Sequence, residues 1–231
     1  MALITQEIEL REQICSVGKE LHRSQLVDGT AGNISVRLDD NRFLITPSGL
    51  RKGYMKPNQL IVIDKNGTVL ESSDNTKRKP SSETPMHLEV YKHRPDVHAV
   101  IHAHPTYAVA LTIAGIPMQK YTIPEAIILL GIVPTAPYAT PATTEDSEVI
   151  TDLIENHDAL LLSHHGSLTV GKDVWEALVR LETLEHNARL TYLVHQLGGG
   201  TSLTSEQIEK LLDLRQKLGL THPGELERAL V

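Results

Sequence analysis

The chain has 231 residues, of which 40% are hydrophobic and 22% charged, so it is neither a disulfide mini-scaffold nor a disordered polymer. Its formal net charge of -7 opposes general attraction to nucleic acid or to an anionic membrane. Cys15 is the only cysteine, and no apolar run approaches the ~20 residues of a membrane span. We therefore expect one cytoplasmic domain over residues 1–231, with neither a nucleic-acid nor a membrane partner.

Helices and short strands alternate along the predicted chain. An amphipathic helix from about Ile4 to Leu26 precedes a group of three short strands and a polar surface loop at 71–82. The region 116–141 is rich in proline and predicted to be irregular. Strands are predicted at 34–38, 43–46, 60–64, 97–103 and 159–163, and the remaining helices at 83–93, 105–114, 144–156, 173–196 and 206–218.

Twelve histidines are many for this length, and three of them follow a metal-ligand pattern. Successive strand residues point to opposite faces, so His102 and His104 share one face, with His98 a remoter third member. His165 follows the apolar strand 159–163. Three histidines leave coordination positions open, as expected of a catalytic divalent ion such as zinc. Two structural histidines are the other interpretation of the His-x-His pair, and the residues alone leave both open.

Three segments are suited to binding an anion through the backbone. Gly29-Thr-Ala-Gly-Asn33 and Thr46-Pro-Ser-Gly49 are glycine-containing turns without lysine. Ser81-Ser82-Glu83 stands at a helix start, where free N–H groups favour a phosphate. Each segment alone is typical of an ordinary turn or helix cap, and Glu83 is an ordinary first-turn carboxylate by default. Only their joint presence beside a metal predicts a site.

These pieces resemble the class II, zinc-dependent aldolase and adducin family, most closely its L-fuculose-1-phosphate aldolases. They occur in the family's order and cover most of residues 5–215. The matching segments are Gly29-Thr-Ala-Gly-Asn-Ile-Ser-Val-Arg37, Leu44-Ile-Thr-Pro-Ser-Gly49, Pro80-Ser-Ser-Glu83, His102-Ala-His104, Ala136-Pro-Tyr-Ala-Thr140 and His164-His-Gly166.

The resemblance implies an α/β fold, an α/β/α sandwich around a mainly antiparallel sheet, assembled as a C4 homotetramer with active sites between subunits. It implies one Zn²⁺ per subunit, bound by His102, His104 and His165, with Glu83 as the acid/base. Tyr121 would be a proton donor lent by a neighbouring subunit. The implied phosphate ligands are Gly32, Asn33, Ser48, Gly49, Ser81 and Ser82.

The activity that the resemblance implies is reversible cleavage of a fuculose-1-phosphate-like ketose 1-phosphate to dihydroxyacetone phosphate and a short aldehyde. Glu83 would move the proton, and burial would raise its pKa. The family alternatives are a methylthioribulose 1-phosphate dehydratase, a sugar-acid phosphate decarboxylase and a ribulose-phosphate 4-epimerase. The segment 136–140 is more similar to the aldolases than to the epimerases. If the chain were a non-catalytic adducin-like module, metal ligands would be missing, whereas the three histidines and Glu83 are all present.

Two positions depart from the fuculose-phosphate aldolase pattern. Pro141 stands where those enzymes have an aromatic residue, and Leu218 aligns with a tyrosine. Both positions face the aldehyde half of the substrate in the family. The sequence therefore leaves the identity of the aldehyde open.

Overall fold

An eight-stranded sheet forms the centre of the computed structural model, which describes residues 2–72, 78–118 and 122–221. Its spatial order is β4-β3-β2-β1-β5-β8-β7-β6, and each neighbouring pair is antiparallel except β6 and β7. The predicted mainly antiparallel sheet is confirmed. The strands are β1 (Asn33–Arg37), β2 (Arg42–Ile45), β3 (Ile61–Asp64), β4 (Val69–Ser72), β5 (Ala99–Ala103), β6 (Thr135–Ala136), β7 (Ala159–Leu162) and β8 (Gly166–Gly171).

Helices cover both faces of this sheet, which gives the predicted α/β/α sandwich. Their bounds are α1 (Ala2–Arg23), α2 (Thr84–His93), α3 (Thr106–Ala114), α4 (Pro124–Leu130), α5 (Thr144–Glu148), α6 (Thr151–Ile154), α7 (Val174–Gln196) and α8 (Ser205–Lys217). Side chains of α1 and α7 pack on one face, against residues such as Ile34 and Ile101. Side chains of α2 and α6 pack on the other, against residues such as Ile45 and Leu160. Among the described residues, no helix is both long and apolar enough to cross a membrane.

Several predicted boundaries differ from those of the structure. Part of the predicted loop at 71–82 belongs to the edge strand β4. The apolar residues of this strand are half-exposed, so its sequence lacks the alternation of apolar and polar residues that predicts a strand. The predicted irregular region contains α4 and β6, because α4 packs its apolar side chains against α7 and α8. The predicted helix at 144–156 is two short helices. The strand β8 was not predicted.

Helix α2 and strand β5 position the chemistry, and their ends follow from the sequence. Pro85 lies in the first turn of α2, where its missing N–H costs nothing, and the helix ends two residues before Pro95. Strand β5 lies between β1 and β8, and Asn33 of β1 is the register partner of His102. The start of β1 and the end of β5 therefore lie side by side, at the same end of these two central strands.

Candidate metal centre

Three histidine rings converge at the ends of β5 and β7. His102, His104 and His165 each offer a ring nitrogen, and these atoms lie within 4.8 Å of one another. The two Nε2 atoms of His102 and His104 are 3.0 Å apart. His98 lies outside this group: it precedes β5 and is exposed. The structure thus brings together the three predicted residues and separates the remoter one.

A backbone contact orients the ring of His102. The Nδ1 of His102 lies 3.0 Å from the carbonyl oxygen of Ser167 and can donate to it, which leaves Nε2 free as a ligand atom. Burial lowers the pKa of His102 to about 3, and it also lowers that of His104. Both rings are therefore neutral at ordinary pH, which is the form that binds metal. The chemistry of this donor set fits a divalent transition-metal ion.

Two glycines allow the close packing around the rings. A Cβ at Gly166 would lie 2.3 Å from the carbonyl oxygen of Ala103 and 3.0 Å from ring atoms of both His102 and His104. Gly32 has φ 73°, and a Cβ there would lie 3.0 Å from the carbonyl oxygen of His102. Larger residues at these positions would displace the histidines.

The carboxylate of Glu83 lies against the histidines. Its Oε1 is 3.1 Å from Nε2 of His165, and its Oε2 is 3.5 Å from Nε2 of His102. The Nδ2 of Asn33 donates to Oε2 at 2.6 Å. Burial acts to raise the pKa of Glu83, but the hydrogen bonds from His165 and Asn33 and the closeness of the His102 ring together lower it by more. The net pKa of Glu83 is below its ordinary value, so the expected rise is wrong.

The three predicted phosphate-binding segments meet beside Glu83. Residues 79–81 pair with 46–48 through the Pro47–Pro80 bridge, and the backbone N–H of Ser48 donates to Lys79 at 3.0 Å. Asn33 reaches Ser81, with 3.0 Å between Nδ2 and Oγ. Gly32 and Gly49 have positive φ, as tight anion-binding turns require. The six predicted phosphate ligands, Gly32, Asn33, Ser48, Gly49, Ser81 and Ser82, lie in these segments.

Lys52 was missed by sequence reasoning. It is 2% exposed, and its Nζ donates to the carbonyl oxygens of Thr30 at 2.7 Å and Leu50 at 2.8 Å. The lysine therefore links the segment 29–33 to the residue that follows the segment 46–49. The only signal in the sequence was a lysine three residues after the Ser48-Gly49 turn.

A second missed residue is Asp146, and its surroundings bear on the departures noted above. Its Oδ1 is 4.0 Å from Nδ1 of His165, and its Oδ2 accepts from the N–H of Ala142, next to Pro141. Burial raises the pKa of Asp146. Leu218, by contrast, lines a cavity of about 260 Å³ with Asp158, and none of the three histidines lines it. Within one chain, the residue after Pro141 is thus linked to His165 through Asp146, whereas Leu218 lines a cavity that the three histidines do not line. Tyr121 lies outside the described residues.

The fold agrees with what the comparisons find. The sequence pattern described as Class II Aldolase and Adducin N-terminal domain matches residues 12–192. The chain belongs to this family, whose members include metal-dependent aldolases, and it is an enzyme of the class II aldolase type.

The relatives include enzymes named as aldolases and enzymes named as decarboxylases. An L-fuculose phosphate aldolase of Methanococcus maripaludis is 34% identical over 177 residues, which cover 77% of this chain and 93% of the relative. A 3-oxo-tetronate 4-phosphate decarboxylase of Haemophilus influenzae is 31% identical over 191 residues, covering 80% and 88%. A solved structure of an L-fuculose 1-phosphate aldolase has a TM-score of 0.81 and 32% identity, covering 90% of this chain and 96% of that one.

Proposed function

We propose that His102, His104 and His165 bind one divalent ion per chain, with zinc the first choice, and that the chain is an aldolase for ketose 1-phosphates. The observation that carries the proposal is the contact of one carboxylate, Glu83, with two of the three histidines. A His₃ donor set is suited to zinc, and the open positions are suited to substrate oxygens. The L-fuculose phosphate aldolase names among the relatives support the same reaction class.

The phosphate end of the substrate would be held by Gly32, Asn33, Ser48, Gly49, Ser81 and Ser82. Serine hydroxyls and glycine N–H groups would supply the donors, since the N–H groups of Ser48 and Ser81 already bond within the fold. Lys52 adds a positive charge close to these segments. The segments lie beside Glu83 because Asn33 contacts both Ser81 and Glu83. A phosphate on C1 would therefore place C2 and C3 next to the histidines.

The proposed reaction breaks the C3–C4 bond. A divalent ion bound by the histidines would supply Lewis-acid polarisation of the ketose oxygens. The electron pair of the broken bond remains on C3. Glu83 must take up a proton before this step, and it then delivers that proton to C3. In condensation the carboxylate of Glu83 removes the same proton. The C4 hydroxyl loses its proton on the aldehyde side of the broken bond. Tyr121 of a neighbouring subunit would accept that proton in cleavage and donate it in condensation.

The aldehyde half of the substrate is proposed to be held loosely. Pro141 replaces an aromatic residue beside the site and offers no side-chain hydrogen bond, so the pocket cannot strongly reward extra hydroxyls. We expect dihydroxyacetone phosphate to be required as donor. Lactaldehyde and acetaldehyde should be accepted with kcat/KM values within about tenfold, or ~1.4 kcal/mol, of one another.

The experiment is product analysis of the metal-loaded protein incubated with a panel of ketose 1-phosphates, followed by initial condensation rates with a panel of aldehydes. Release of dihydroxyacetone phosphate with an aldehyde supports the proposal. Strict selection of one polyhydroxylated aldehyde would contradict the loose pocket. Turnover of 3-oxo-tetronate 4-phosphate, with no aldol product from any aldehyde, would replace the aldolase by the decarboxylase activity of the relative named above.

A further inference from the structure

A line of buried polar side chains runs from Glu83 into the layer between β1 and α2. Asn33 and Ser35 are two residues apart on β1 and share a face of the strand. His87 and Tyr91 are four residues apart on α2 and share a face of the helix. All four are at most 4% exposed. Polar groups at such depth cost free energy unless each is hydrogen-bonded.

Each of these groups has a partner, and the contacts form one chain. The hydroxyl of Tyr91 lies 2.8 Å from Oγ of Ser35, which lies 2.6 Å from Nδ1 of His87. The Nε2 of His87 contacts Oδ1 of Asn33. The Nδ2 of Asn33 then donates to Oε2 of Glu83 at 2.6 Å. The chain therefore starts at a buried phenol and ends at the candidate acid/base.

The donors in this chain have a single consistent direction. An ionised carboxylate only accepts, so Asn33 must turn its NH₂ group towards Glu83 and its oxygen towards His87. His87 must then carry its proton on Nε2, and its Nδ1 must accept from Ser35. Ser35 in turn accepts from Tyr91. Burial lowers the pKa of His87 to about 4 and raises that of Tyr91, so both are neutral, as this direction requires.

We propose that His87 is a positioning residue, which fixes the amide of Asn33 and through it the carboxylate of Glu83. Ser35 and Tyr91 hold the His87 ring in the Nε2–H tautomer. Without this donor, the amide of Asn33 is free to turn its oxygen towards the carboxylate, where the two would repel. The inference rests on the proposed function in one respect, the role of Glu83 as the proton-transfer group.

The first test reads the hydrogen-bond chain without catalysis. In the full-length, metal-loaded protein labelled with ¹⁵N, ring correlations of His87 identify its tautomer, and His87→Gln assigns the signals. We expect the Nε2–H tautomer in the wild type and a shifted ring signal in Tyr91→Phe. An Nδ1–H ring, or a ring signal unaffected by Tyr91→Phe, would overturn the proposed direction.

The second test separates positioning from general stability. We expect His87→Leu to lower kcat for fuculose 1-phosphate cleavage by about 10–100-fold, a typical loss for a contact behind the reacting groups, with KM changed less than about threefold and metal content retained. His87→Gln keeps an N–H donor near Asn33, so it should recover kcat to within about tenfold of the wild type. Met86→Ala is the control, because Met86 is buried in the same helix and outside the chain of hydrogen bonds. It should lower the melting temperature and leave kcat per folded, metal-loaded chain unchanged.

The outcomes separate this inference from the proposed function. Wild-type kcat in His87→Leu would reject His87 as a positioning residue. A loss of kcat that follows loss of metal, or that Gln does not restore, would assign His87 to support of the fold or the metal site instead. If the wild type cleaves no ketose 1-phosphate, the proposed function fails, and the ring tautomer still decides whether the chain of hydrogen bonds exists.

Discussion

Glu83 owes its candidate role to its contacts with two histidine rings and one amide. Glu83→Gln keeps the size of the side chain and removes its ability to exchange a proton. We expect turnover to fall by about 10²–10⁴-fold, as is typical for loss of a general acid/base. Metal content should change little, which metal analysis of the purified variant would check. Glu125→Gln, at an exposed position, is the matched control. Wild-type turnover in Glu83→Gln would move the role to water or to Tyr121.

His164 and His165 are neighbours with different expected roles. His165 belongs to the candidate metal centre, whereas His164 is exposed and has φ 59°, a region in which glycine is free of strain. We expect His165→Ala to lose the metal and His164→Gly to keep it, as measured by metal analysis after purification without chelator. Near-stoichiometric metal in His165→Ala, or in a variant with both His102 and His104 replaced by Ala, would refute the ligand assignment.

At the scale of elements, Lys52 gives a pH dependence to the packing of two loops. Burial lowers its pKa from 10.5 to about 8. Between these two values the unfolded chain holds the proton that the native chain has lost, so the free energy of unfolding contributed by Lys52 rises with pH. Chemical denaturation at several pH values should therefore show that the free energy of unfolding of the wild type rises, relative to that of Lys52→Met, from about pH 8 to pH 10.5. A difference that stays flat across this range would mean that the native amine titrates normally.

Helix α8 is joined to the sheet region by a buried charge cluster. Asp158 is 2% exposed, and its oxygens accept from Arg94 at 2.8 Å, Arg180 at 2.9 Å and Arg215 at 3.0 Å. Burial acts to raise the pKa of Asp158, but the three arginines lower it by more, so the net pKa is below its ordinary value. Asp158→Asn leaves these arginines buried without their shared charge, and such losses cost about 3–5 kcal/mol of unfolding free energy.

Equilibrium denaturation in urea would measure this cost. Asp152→Asn, an exposed change on α6, is the matched control and should stay within about 0.5 kcal/mol of the wild type. An Asp158→Asn variant as stable as this control would show that the cluster contributes little to the fold.

At the scale of the whole molecule, the proposed tetramer makes a prediction about shared active sites. Light scattering should give four times the 25.5 kDa chain mass. If a neighbouring subunit supplies Tyr121, inactive Glu83→Gln and Tyr121→Phe chains should regain activity when unfolded together and refolded as mixed tetramers, because some sites then combine two intact residues. The two variants refolded separately are the control. A fully active monomer, or no recovery in the mixture, would contradict the shared site.

Sequence alone predicted the sheet strands with strong apolar character, the helix at 83–93 that ends before Pro95, and the shared face of His102 and His104. These features depend on local periodicity, which a single segment reveals. It also predicted the approach of Glu83, His165 and the three phosphate-binding segments, but through family resemblance, since these residues are far apart along the chain.

The contacts between distant segments follow from the tertiary structure. Residues 33 and 102 meet because β1 pairs with β5. Lys52 and Asp146 lie in short helical segments whose sequences are too short to show a periodic signal. The face of α2 that carries Glu83, His87 and Tyr91 could be read as a helical spacing, yet its partners Asn33 and Ser35 are known only once β1 packs beneath it. Strand β4 and helix α4 were missed for the same physical reason: an exposed edge and a short apolar helix are defined by what they pack against.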